Sequence, residues 1–132
     1  MRYLVAIDGW EPSHRALAFA AEQAAASGSD LDVVHVVGEG GGDEGANDRI
    51  RETVAEAVEG AGVDYEVHFI ETDKRTKPAN RVGSRLLEFV EERDHDAVFV
   101  GNEPTGTAER MIVGSVARTL VDAREVPVVL VP

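Results

Sequence analysis

No cysteine occurs at any of the 132 positions, so disulfides and thiolate metal sites are excluded and a reducing, cytoplasmic setting is expected. No apolar run approaches the roughly 18 residues of a membrane-spanning helix. The opening MRYLVAIDG lacks the long apolar region and small-residue cleavage site of an export signal, and reads as a first strand. Lysine is scarce: Lys74 and Lys77 stand beside 11 arginines, and 13 basic side chains face 25 acidic ones, for a net charge of −12. Such a surface repels phosphate backbones, so non-specific nucleic-acid binding is not expected. Acidity, few large apolar side chains and abundant Ala and Val fit an organism living at high salt, where self-repulsion is screened over about 3 Å at 1 M.

Catalytic signatures are missing as well. The sequence has no G-x-S-x-G elbow, no H-E-x-x-H pair, no G-x-x-x-x-G-K-[ST] loop and no G-x-G-x-x-G after the first strand. His14, His35, His68 and His95 fall on a helix, two strands and a loop without metal-ligand spacing, and His35, inside a Val-rich strand, reads as a core or edge residue. No catalytic residue and no metal ligand is assigned.

What is present is a regular alternation of patterns. Residues 3–7 (YLVAI) form a short apolar run, as expected of a strand covered on both faces; 31–37 (LDVVHVV), rich in Val, and 97–100 (AVFV) read as further strands, and 127–131 (PVVLV) as a sheet edge that is either paired with a second copy or covered by the fourth helix. Residues 64–70 (DYEVHFI) alternate, with Tyr65, Val67 and Phe69 on one side, which suggests a sheet edge with one wetter face. Helical spacing places Leu17, Ala20, Ala21 and Ala24 on the inner face of a helix over 12–27, with Pro12 in its first turn and Gly28 at its end. A second helix over about 47–60 would bury Ile50, Val54, Ala57 and Val58, with Asn47 or Asp48 as cap. A third opens at Pro78 and turns Val82, Leu86, Phe89 and Val90 inward, and a fourth covers 115–124.

Five strands alternating with four helices imply one α/β domain over 1–132, a doubly wound five-stranded parallel sheet of order 3-2-1-4-5 with helices on both faces. Residues 38–46 (GEGGGDEGA) carry acids and no Lys, and read as a linker rather than a phosphate cradle.

In such a sheet, ligands bind beyond the carboxyl ends of the strands, where the order reverses between strands one and four. Asp8 follows strand one and would accept a ribose hydroxyl or hold a divalent cation through oxygen. Gly101 follows strand four and brings backbone near a ligand without a side chain. Gly114-Ser115 opens a helix whose free N–H groups suit a phosphate. Each has an ordinary alternative, respectively a turn former, a turn and a helix N-cap.

The segments YLVAIDGWEPSHRALAFAAEQA, AVFVGN and GSVARTLVDAREVPVVLV resemble the universal stress protein family in its single-domain form, and with the composition suggest a haloarchaeal member. ATP-binding members carry a glycine, two residues, a glycine, nine residues, then Gly-Ser or Gly-Thr. Gly101 matches the first glycine and Gly114-Ser115 the final pair, while Pro104 occupies the middle position. The resemblance implies that Ala6, Ile7 and Asp8 line the adenosine side, that Val36 touches the adenine, and that Val116 and Ala117 continue the phosphate loop. It implies ATP, with Mg²⁺, as cofactor, and a homodimer formed by pairing the final strands through Val128, Val129, Leu130 and Val131.

Pro104 departs from the motif: it has no N–H for a phosphate and a fixed φ near −65°. Glu103 and Glu109 add negative charge there, Gly106 restores flexibility, and the cluster Lys74, Arg75, Lys77, Arg81 and Arg85 falls at the same sheet edge. That cluster reads either as an offset to the acidic loop or as a solvated helix start paired with nearby Glu.

Three functions remain: a dimeric nucleotide-binding stress sensor or switch, a family member without nucleotide that works through dimerisation or partners, and an enzyme using Asp8 as base. A phospho-accepting receiver shares the strand order, but no Lys follows the last strand.

Overall fold

Valine-rich strands and alanine-rich helix faces set the layers. The structure, a computed structural model, describes residues 1–8, 10–37, 43–72, 81–102 and 114–132. The strands are β1 (Arg2–Ile7), β2 (Asp30–Val37), β3 (Tyr65–Glu71), β4 (Ala97–Gly101) and β5 (Val128–Val131). The helices among the described residues are α1 (Glu11–Ser27), α2 (Glu44–Val58), α3 (Arg81–Arg93) and α4 (Ser115–Ala123), with a short 3₁₀ turn at Glu59–Ala61. All neighbouring strands run parallel, in the order β3-β2-β1-β4-β5. The expected doubly wound sheet is therefore the observed one.

Because side chains alternate across a strand, two cores form. Val5, Ile7, Val33 and Phe99 pack with Leu17, Ala20 and Ala21 of α1 and with Val54 and Val58 of α2. Leu4, Val34, Val98 and Val100 pack on the other face with Leu86, Phe89 and Val90 of α3 and Leu120 of α4. Edge strand β3 joins both cores only partly: Tyr65 and Val67 lean on the first and Ile70 enters the second.

Local chemistry explains the helix ends. Pro12 sits in the first turn of α1, and Gly28 closes it at φ 66°, a left-handed position that suits glycine. The cap of α2 is Asp43, whose Oδ1 accepts the Gly45 N–H at 3.1 Å. That corrects the expected Asn47 or Asp48; Asn47 is instead a buried residue one turn inside the helix. Ala57 is exposed rather than buried, because the α2 stripe runs through Ile50, Val54 and Val58. Val82 also departs from the inward stripe of α3, being 36% exposed at the head of the helix. Pro78, where that helix was expected to open, lies outside the described residues.

Candidate functional site

At the carboxyl ends of β1 and β4, whose following helices α1 and α4 pack on opposite faces of the sheet, a cleft opens. Its floor is the even-numbered face of three adjacent strands: Ala6, Val34, Val36 and Val100. Val82 at the start of α3 and Val116 at the start of α4 form its walls, with Ile7, Asp8, Ser13 and Gly101 along the rim. An apolar slot with few polar groups on one lip suits a flat heteroaromatic ring carrying a polar tail.

Asp8 is held by a small hydrogen-bonded knot. Its N–H donates to Ser13 Oγ at 3.2 Å, the Ser13 hydroxyl donates to the Trp10 carbonyl at 2.8 Å, and Asp8 Oδ1 accepts the Trp10 N–H at 2.9 Å. Asp8 is thus a turn former and, at once, an exposed carboxylate on the cleft rim. Ser13 was not singled out from the sequence, although a hydroxyl five residues past the acid, in the first turn of a helix, is the kind of group that ties such a turn.

Gly101 lines the cleft for a reason other than the expected one. A Cβ there would stand 2.4 Å from the Pro12 carbonyl carbon and 2.5 Å from the Ser13 nitrogen. The missing side chain makes room for the first turn of α1, which carries the Asp8 knot.

On the far lip, Gly114 is the N-cap of α4 and Ser115 its first residue, so Ser115 is not the cap. The Gly114 N–H donates to Asn102 Oδ1 at 2.8 Å, and Asn102 is buried. Gly114 and Ser115 are exposed, and the first N–H groups of α4 lack intrahelical partners. Ala117 faces the second core rather than the cleft. Pro104, with Glu103, Gly106 and Glu109, and also Lys74, Arg75 and Lys77, lie outside the described residues. Arg85 donates to the Glu71 carbonyl at 3.1 Å and pairs with Glu88 at 3.1 Å.

The histidines are less dispersed than their spacing suggests. His35 Nδ1 meets the Ile7 carbonyl at 2.8 Å. Toward the opposite, amino end of the sheet, His68 Nε2 lies 3.0 Å from Asp32 Oδ1 and His95 Nε2 lies 2.7 Å from Asp32 Oδ2. Asp32 is 2% exposed. Burial alone would raise its carboxyl, but the hydrogen bonds from His95 and His68, with their charge, outweigh burial and hold it well below the usual carboxylate range. An acid inside a strand covered on both faces demands partners, and that was the available signal in LDVVHVV.

The model of the universal stress protein family matches residues 1–132. No curated protein matches the sequence. Among solved structures, the universal stress protein from Archaeoglobus fulgidus is 26% identical, with a TM-score of 0.75 over 100% of this chain and 98% of that one. A structure of the universal stress protein from the same organism in complex with dAMP is 26% identical, with a TM-score of 0.71 and coverage of 100% and 98%. A universal stress protein in complex with cAMP shares the fold at 21% identity, with a TM-score of 0.74 and coverage of 100% and 97%. With a match that runs from the first residue to the last, on a shared fold, the chain belongs to the universal stress protein family.

Proposed function

We propose that this protein binds an adenine nucleotide in the cleft between β1 and β4 and acts as a dimeric sensor or switch in a stress response. One observation carries the reading: an apolar slot built from Ala6, Val34, Val36 and Val100 has the Asp8 carboxylate on one lip and Val116, in the first turn of α4, on its wall. Adenine fills the slot, the ribose hydroxyls meet Asp8, and phosphate meets the free N–H groups at the start of α4. The relative solved with dAMP supports a mononucleotide of this class. ATP with Mg²⁺ is the fuller ligand, with Gly101 and Gly114-Ser115 at the motif spacing. Pro104 favours a second reading, a member that has lost the phosphate half and works through partners, since proline offers no N–H at the middle position.

The dimer forms through β5, an edge strand. The Pro127 carbonyl accepts from Val98 and the Val131 carbonyl from Asn102, so by alternation Val128 and Leu130 direct their backbone groups away from β4. A second copy meets those groups. Leu130→Pro removes an outward N–H and leaves the β4 ladder in place; sedimentation should then report monomer where the wild type is dimeric.

The binding test is calorimetry with AMP, dAMP and ATP, with and without Mg²⁺, in high-KCl buffer suited to a salt-adapted cytoplasm. Heat with all three supports the first reading. Silence with folded dimer present overturns the first reading. Pro104→Gly should strengthen ATP binding more than AMP binding, since it restores the N–H that proline lacks at the middle position of the phosphate motif.

A further inference from the structure

We propose that Asp32, Glu66 and His68 bind a divalent transition-metal cation of the zinc class, toward the amino end of the sheet and away from the nucleotide cleft. The donors come from adjacent strands in register, Asp32 of β2 beside Glu66 of β3, with His68 two residues along the same face. His68 Nε2 lies 3.0 Å from Asp32 Oδ1 and 3.5 Å from Glu66 Oε2, and the three donor atoms all fall within 4.8 Å of one another. Bonds of about 2.0–2.2 Å at tetrahedral angles set neighbouring donors roughly 3.3–3.5 Å apart, so small side-chain rotations bring these three onto one ion. Two carboxylates with an imidazole suit a borderline cation better than Mg²⁺ or Ca²⁺, which take oxygen alone.

The surroundings supply the rest of a metal site. His95 hydrogen-bonds the other oxygen of Asp32 at 2.7 Å and is a positioning residue: it orients the carboxylate and leaves Oδ1 toward His68. Its Nδ1 has no partner among the described residues, which fits a ring that donates from Nε2. Phe89 packs against both imidazoles, 4.9 Å from His68 and 5.7 Å from His95 by ring centroids, and limits their rotation. A solvent-open cleft lined by Asp30, Asp64 and Glu66, with Arg2, reaches Asp32 and gives an ion a way in.

A cation already spans the carboxylates. Arg93 NH1 stands 3.9 Å from Asp32 Oδ1 and 3.7 Å from Glu66 Oε2, on a side chain 38% exposed. Its single charge sits on a long arm at the rim, so a divalent ion displaces it outward. Arg2, 3.3 Å from Asp32 Oδ2, holds the other side of the carboxylate.

The test is a titration of the full chain with Co²⁺ in the absence of nucleotide, which would itself chelate the ion. One Co²⁺ per chain should bind with the intense visible absorption of a tetrahedral centre, and Zn²⁺ should displace it. His68→Ala should weaken binding about 10–100-fold and Glu66→Gln by about tenfold. Arg93→Gln should tighten it several-fold, because the competing charge is gone; a mere ion-pair cluster would give no such gain. Thermal melts of the same variants separate unfolding from loss of the site. Absence of Co²⁺ binding by both wild type and Arg93→Gln overturns the proposal. So does a His14→Ala variant, altered only on α1, that loses as much affinity as His68→Ala.

Discussion

Gly101 at the end of β4 lies so close to Pro12 in the first turn of α1 that a Cβ would come within 2.4 Å of the Pro12 carbonyl carbon. The two lips of the cleft are therefore coupled through backbone. Gly101→Ala should destabilise the fold by about 1–3 kcal/mol, since no side-chain rotation relieves the contact, and should also loosen the Asp8 turn and weaken nucleotide binding. Gly114→Ala, whose Cβ would meet only Asn102 Oδ1 at 3.4 Å with φ at −63°, should cost about 1 kcal/mol or less. Urea denaturation of both variants decides it: equal losses would show that the close approach does not govern this end of the sheet.

Ser13 holds Asp8 in place, so its effect on binding should exceed what its size suggests. Ser13→Ala removes the acceptor of the Asp8 N–H and the donor to the Trp10 carbonyl. Leaving that N–H without a partner costs about 1–2 kcal/mol. The affinity for AMP should fall several-fold. Trp10 is the single tryptophan and is 74% exposed beside the cleft rim, so its emission reports the turn directly. A nucleotide-induced change in emission with the same midpoint in wild type and variant would mean that Asp8 takes no part in binding.

The fold was legible because its signals are local and repeated. Short Val-rich runs, one alternating strand, Pro12 and Gly28 around an alanine face, and the adjacency of β1 and β4 all follow from periodicity and from the rules for parallel sheets. The rim of the cleft was legible too, as Asp8 and Gly101 are neighbours in a doubly wound order. What periodicity hid was contact between distant segments. Val82 and Phe89 share one helical stripe in sequence, yet only Phe89 reaches the core, because the head of α3 overhangs the strand ends. Gly101 reads as ligand-facing until the path of α1 is known. Asp32, His68 and His95 are separated by 36 and 63 residues from acid to ring, and only the β2-β3 register and the end of α3 bring them together.

Val82 gives a direct test of where the base sits. It lies on the cleft wall, is 36% exposed, and contributes little to the core beneath it. Val82→Trp should leave stability within about 0.5 kcal/mol, as for other exposed positions, while its bulk occupies the slot over Val34 and Val36. At least a tenfold loss of AMP affinity is expected by calorimetry. Unchanged affinity in a folded variant would place the nucleotide elsewhere.

Asp32 should leave a signature in acid. Its carboxyl is held below the usual range in the folded state, so its stabilising contribution is fully present above the unfolded value of about 3.9 and fades as pH falls toward the lower folded value. At neutral pH, Asp32→Asn removes the charged partner of Arg2 and leaves a single amide oxygen where each histidine had its own acceptor, and should cost about 3–5 kcal/mol. Below about pH 4 the unfolded chain takes up a proton at Asp32 while the folded carboxylate stays ionised, so the gap between wild type and variant should narrow steadily as the pH falls. Comparing the two proteins cancels the other acidic side chains, whose titration both share. Urea unfolding at pH 7 and at successive steps down to about pH 3 measures the gap. A gap that stays constant across that window would mean that the Asp32 carboxylate is not what binds β2, β3 and the end of α3 together.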